Sequence, residues 1–305
     1  MRVAAVAIAL VATLAACRAE DPTPLAAPPT ASPSATVSAT PSPTEPSTEP
    51  STPPPSATSA PAGTYLALGD SLAVGVGATQ PAQTGYVARV HRALAQPGAT
   101  RQVTTLMNLA VSGETSTSMI RTGQLAAALE VIATANPSIA VVTLDIGGND
   151  LLRLLGTDAC AADPQSQDCL QLLALTLEDF DANFRQIIGE LMDALEAQAT
   201  GAPLAVMTYF NPFSGTDAAY EAAGQLALLG TDGRLHCEAP DPQARGMNDI
   251  IACVGDEMGA IPVDVQPAFE GLGLELTHIG AEDIHANDRG YEVIGDAFVE
   301  AISRS

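Results

Sequence analysis

Residues 138–150 read Ser138-Ile139-Ala140-Val141-Val142-Thr143-Leu144-Asp145-Ile146-Gly147-Gly148-Asn149-Asp150. From Ile139 to Leu144 the run is apolar and rich in β-branched residues, without polar alternation. That pattern predicts a strand covered on both faces, which is the signature of a parallel sheet between helices. The glycine pair stops the strand, and Asn149 and Asp150 follow in a turn.

Working outward, strands and helices alternate. Towards the N-terminus the sequence predicts a helix over Ser116–Ala135, a strand over Val103–Leu109, a helix over Gly85–Gln96 and a strand over Thr64–Leu68. Towards the C-terminus it predicts a long amphipathic helix over Leu172–Ala199, a strand over Pro203–Tyr209, a helix over Gln243–Met258 and a strand over Ile261–Val265. A last helix, with N-cap chemistry at Asn287 and Asp288, runs to Ile302. Residues 156–169 and 211–240 read as irregular. Such alternation implies right-handed crossovers and a three-layer α/β/α sandwich around a parallel sheet of about five strands. Sites in such sheets lie beyond the carboxyl ends of the strands.

The 305 residues divide by composition. Residues 63–305 form the expected globular domain, and roughly 240 residues suffice for one such core. Residues 17–62 are rich in Pro, Ser and Thr and read as a disordered tether. Residues 1–16 carry Arg2 and an apolar run from Val3 to Ala16, too short for a comfortable membrane span and suited to an export signal. The ending Leu14-Ala15-Ala16-Cys17 resembles the lipobox of bacterial lipoproteins. That resemblance implies lipidation at Cys17 and attachment to the outer face of a bacterial cell membrane; an ordinary secretory signal is the alternative.

The net charge is −23, from 35 acidic and 12 basic residues. Such a surface repels phosphate backbones and argues against a nucleic-acid partner. Setting Cys17 aside, Cys160, Cys169, Cys237 and Cys253 remain, an even count that points to disulfides in an exported chain. The short separations favour Cys160–Cys169 and Cys237–Cys253. No Cys-x-x-Cys or His-x-x-x-His spacing suggests a metal. Gly75-Val76-Gly77 lacks the rest of a dinucleotide or phosphate-loop fingerprint, so no cofactor is expected.

Four segments carry chemistry: Gly69-Asp70-Ser71-Leu72 after the first strand, Asn108 to Thr115 after the second, Gly147 to Asp150 after the third, and Glu282 to Tyr291 near the C-terminus. In this order they resemble the four blocks of the SGNH, or GDSL-type, hydrolase family, across nearly the whole globular domain. The resemblance implies a flavodoxin-like fold and a serine esterase acting through an acyl-serine intermediate. Ser71 matches the nucleophile and His285 the general base. The Ser71 and Gly113 N–H groups and the Asn149 amide match the oxyanion hole. The family places an Asp three residues before the histidine, and here Glu282 stands there with Asp283 one residue later, so either carboxylate is a candidate.

Expected substrates are small-molecule, lipid or glycan esters, for a chain expected to be monomeric. A surface lipoprotein that binds acylated glycans or lipids without turnover is the alternative from another class, and acyl transfer would use the same residues. Leu226, Leu228 and Leu229 suggest acyl contacts, or equally one face of an amphipathic helix. His91, His236 and His278 match no motif, and Asp70 and Asp150 read as braces for their turns.

Overall fold

The computed structural model describes residues 62–231, 233–235, 237 and 244–305. The export signal, Cys17, residues 18–61 of the tether and His236 lie outside the described residues. Five strands, β1 (Gly63–Gly69), β2 (Val103–Asn108), β3 (Ile139–Asp145), β4 (Leu204–Met207) and β5 (Ile261–Val263), form one sheet in the order β2-β1-β3-β4-β5. Every pairing is parallel. This is the flavodoxin-like order, in which the chain leaves β1 for one side of the sheet and returns on the other. The register sets Ala67 opposite Asn108 and Gly69 opposite Asp145. Three strand ends therefore converge beside the switch point.

The burial of each strand follows its place. β1 is buried throughout, whereas β2 on the edge buries only Val103. Pro262 is tolerated in β5 because only one neighbour pairs with that strand. Helices flank the sheet in two groups. Tyr86–Leu94 packs with Asp288–Ser303, and Tyr86 stacks on Phe298 with ring centroids 5.0 Å apart. The long helix Gln167–Ala197 packs with Gln124–Thr134 and Met247–Glu257.

Local chemistry departs from the sequence expectations at four places. The expected helix 116–135 is two helices, Ser116–Thr122 and Gln124–Thr134, because Gly123 adopts φ 109° and ends the first. Residues 156–169 are not irregular throughout: Asp158–Ala162 is helical, capped by the Thr157 hydroxyl. The long helix begins at Gln167, where Ser166 accepts from Cys169 N–H, and not at Leu172. Within the region expected to be irregular up to residue 240 lies the helix Ala218–Leu229, its first turn capped by the Asp217 carboxylate. Cap residues in these stretches carry the helices that the surrounding Gly, Pro and Cys residues obscure.

Disulfides join Cys160 to Cys169 and Cys237 to Cys253. Stable disulfides are characteristic of exported proteins. Among the described residues no helix is long and apolar enough to cross a membrane.

Gly147, with φ 123°, turns the chain out of β3 directly over the core. A Cβ there would lie 2.7 Å from both Met247 Sδ and Phe180 Cε2. Phe180 is fully buried and stacks on Phe184 at 5.3 Å. Phe180→Ala empties the space that supports this turn. The expected loss is about 3–5 kcal/mol of unfolding free energy, measured by equilibrium denaturation.

Candidate active site

β1 ends in Gly69, whose φ of 139° redirects the chain sharply. Asp70 then caps a single helical turn, Ser71–Val74, by accepting from Leu72 N–H at 2.9 Å. This places Ser71 at a helix start, nearly buried, with its own N–H making no hydrogen bond to any described residue. The Ser71 hydroxyl lies 3.0 Å from His285 Nε2. On the other side of the ring, His285 Nδ1 lies 2.5 Å from Asp283 Oδ1. A carboxylate has no proton to give, so Nδ1–H donates to Asp283 and Nε2 accepts the Ser71 O–H.

Asp283, and not Glu282, is the carboxylate bonded to the imidazole. Its Oδ1 also accepts from the His285 backbone N–H at 3.0 Å, so one oxygen fixes both the chain and the ring. Glu282 is exposed, holds a left-handed backbone at φ 64° and makes no hydrogen bond to His285. The hydrogen bond from His285 holds the Asp283 carboxyl below its ordinary value, against an opposing push from partial burial.

The loop carrying His285 is pressed against the loop that follows Ser71. A Cβ on Gly77, where φ is 89°, would sit 2.6 Å from Ala286 O and 2.9 Å from His285 Cβ. His278 ties the two loops together, its Nε2 donating to Gly77 O at 2.8 Å. That gives His278 a bracing contact the sequence did not reveal. His91 lies partly exposed on helix Tyr86–Leu94 and bonds to none of these groups.

The remaining donors come from the ends of β2 and β3. Gly113 has φ 79°, open space where a Cβ would stand, and an N–H without a hydrogen-bond partner among the described residues. Asn149 is buried, and its Nδ2 donates to Glu114 O at 2.9 Å and to Asp70 Oδ2 at 3.2 Å. Gln124 fastens this corner, exchanging hydrogen bonds with Gly69 N–H and O and reaching Glu114 Oε2 at 2.9 Å. Asp150 braces the next turn by accepting from Ser116 N–H and Oγ–H.

Beside Ser71 and His285 opens a cavity of about 160 Å³. Its walls are largely apolar: Leu151 and Leu155 from helix Gly148–Leu155, Leu173, Phe213, Ala227 and Leu228, with the Cys160–Cys169 bridge at one side. Leu228 borders the cavity, whereas Leu229 packs in the core and Leu226 lines neither. Among the described residues no group of His, Cys, Asp and Glu is arranged to hold a metal ion.

A doubly wound parallel sheet with a Ser–His–Asp hydrogen-bonded chain at its switch point defines a hydrolase class of site. Residues 67–293 match the GDSL-like lipase/acylhydrolase family, and the chain belongs to that family. Among solved structures, the lipase Lip_vut3 from a goat rumen metagenome is similar at 20% identity and a TM-score of 0.55, over 78% of this chain and 97% of that one. An extracellular lipase from Streptomyces rimosus shares 20% identity at a TM-score of 0.49, over 79% of this chain and 100% of its own. A phospholipase A1 from Streptomyces albidoflavus shares 18% at 0.49, over 79% and 99%. No curated protein matches the chain.

The depressed Asp283 carboxyl stabilises the fold above its ordinary value of 3.8, and that contribution is lost as pH falls through its lower folded value. Asp283→Asn should therefore flatten the acid side of the stability–pH curve. In proton NMR it should also remove the low-field His285 Nδ1–H signal, which Glu282→Gln retains.

Proposed function

We propose that the chain is a serine esterase that cleaves carboxylic esters with an apolar acyl chain. The observation that carries this reading is the relay of Ser71, His285 and Asp283, with bonds of 3.0 and 2.5 Å, opening into a largely apolar cavity. A serine hydroxyl is a poor nucleophile until a base takes its proton. Here Ser71 Oγ attacks the acyl carbon as its proton passes to His285 Nε2, and Asp283 stabilises the imidazolium. The oxyanion accepts from the Ser71 and Gly113 N–H groups, which no described residue occupies. It also accepts from Asn149, through the amide proton now spent on the longer bond to Asp70.

Collapse of this intermediate expels the alcohol, which takes the proton from Nε2. Water then attacks the acyl-serine by the same route in reverse, releasing the acid and restoring Ser71.

The cavity walls support an aliphatic acyl group over acetyl. An acetyl group would leave most of that apolar surface facing water, whereas each buried CH₂ adds about 0.8 kcal/mol. The Leu14-Ala15-Ala16-Cys17 ending supports an acylated Cys17 that holds the enzyme at the cell surface. Cys17→Ala should then release the protein into the medium, as seen by fractionating an expressing bacterium.

The decisive test is hydrolysis of p-nitrophenyl esters from acetate to palmitate. We expect kcat/KM to rise roughly fourfold per CH₂ until the cavity is filled. Ser71→Ala and His285→Ala should each abolish turnover. Folded protein inactive on every ester would reject the reading, and products transferred to an added alcohol would identify an acyltransferase.

A further inference from the structure

Beneath the nucleophile lie two carboxyl groups, one of which the mechanism above does not use. Asp145 ends β3 and is fully buried. Its Oδ2 accepts from Asp70 N–H at 3.2 Å, and its Oδ1 accepts from the Tyr86 hydroxyl. Asp70 is also buried, and its oxygens accept from Leu72 N–H at 2.9 Å, Tyr209 O–H at 2.8 Å and Asn149 Nδ2 at 3.2 Å. The Asp70 N–H bond to Asp145 sets the two buried carboxyl groups side by side. One of them holds a proton, because two carboxylates so close cannot both ionise in a dry site.

The donor count assigns that proton. Asp70 receives three donors and needs a fourth to saturate a carboxylate, whereas Asp145 receives two. The anion therefore sits on Asp70 and the acid on Asp145. Burial raises both groups, Asp145 well above its ordinary value because the charge of Asp70 adds to it. The surrounding titratable groups agree. Tyr86 and Tyr209 are held well above the ordinary tyrosine range, as are Tyr65 and Tyr291, so all four are neutral. His285 is the cation-forming group whose charge is felt at Asp70.

We propose that Asp145 is a positioning residue that works as a neutral acid, donating to Asp70 so that Asp70 can release the Asn149 amide to the oxyanion. The proposal rests on the esterase reading and deepens it. In the resting site Asn149 spends one proton on Asp70. In the transition state that proton is needed by the oxyanion, and the O–H of Asp145, with Tyr209 and Leu72 N–H, keeps the Asp70 carboxylate satisfied. Take the acid away and Asp70 competes with the oxyanion for the same donor. The cost falls on the transition state alone and so appears in kcat, not KM.

The test compares Asp145→Ala and Asp145→Asn on a p-nitrophenyl ester and by infrared spectroscopy. Asp145→Ala should lower kcat by about 10²-fold at constant KM, approaching the loss of an oxyanion donor. Asp145→Asn should restore most of the rate, since its amide still donates to Asp70.

A further readout holds even if the alanine variant fails to fold. The infrared spectrum of the resting enzyme at neutral pH should contain a protonated-carboxyl band that Asp145→Asn removes. Asp145→Asn lacking any infrared difference, or failing to restore the rate that Asp145→Ala loses, overturns the proposal. The infrared result is independent of turnover, and turnover surviving in Ser71→Ala would instead remove the esterase reading itself.

Discussion

Gly69 lies opposite Asp145 across β1 and β3, and the space its side chain would fill belongs to that acid. A Cβ at Gly69 would stand 2.4 Å from Asp145 O and 2.5 Å from Asp145 Oδ1. Because glycine leaves this space open, a carboxyl can lie flat beneath the turn that carries Ser71. From there it accepts from Asp70 N–H, and Gln124 grips both backbone groups of Gly69 from the other side. The turn that carries Ser71 is thus clamped by side chains from a further strand end and a helix. A substitution at Gly69 would meet a wrong backbone conformation and a wrong neighbour at once.

Burying this cluster carries a desolvation cost that an apolar corner would avoid. The cost is limited because the cluster is well paired: the donors on Asp70 and Asp145 come from backbone N–H groups, two tyrosines and Asn149. Two aspartates in one site then have opposite acid strengths. Asp283 is partly exposed, bonded to a group that becomes cationic, and is held low. Asp145 is sealed beside another carboxyl and is held high. In the mechanism proposed above, one stays charged to steady the imidazolium and the other keeps a proton to give in a hydrogen bond. Burial and partners, not residue type, divide the roles.

The sheet was legible because its central strands are apolar without alternation, which is what coverage on both faces demands. Ser71, Asn149 and His285 could be singled out in the sequence because each follows a strand end or lies in a distinctive local pattern. The helices Asp158–Ala162 and Ala218–Leu229 were obscured because glycine, proline and cysteine nearby suggested loops, while the decisive caps at Thr157 and Asp217 are ordinary residues. Asp145 left one signal, a carboxylate closing an apolar strand, where an unpaired charge would be costly. Its partners Tyr86 and Tyr209 come from a helix and from just beyond β4, distant in sequence, and only the fold brings them together.

The carboxylate beside His285 shows why spacing alone left two residues open. The related pattern sets its aspartate three residues before the histidine, and here that residue is Glu282. The chain reaches Glu282 through a short 3-10 turn, Ile279–Ala281, and leaves it in a left-handed conformation that completes the reversal. Asp283 N–H then bonds back to His278 O at 3.3 Å, and His278 N–H to His285 O at 2.9 Å. Within this closed loop the Asp283 side chain folds over two residues to its own downstream N–H, a turn that aspartate forms readily. The oxygen held there is the one that meets Nδ1. Glutamate, one methylene longer, closes that two-residue ring less well. The requirement that the chemistry imposes is an oxygen at Nδ1, and a tighter loop meets it with a shorter count of residues.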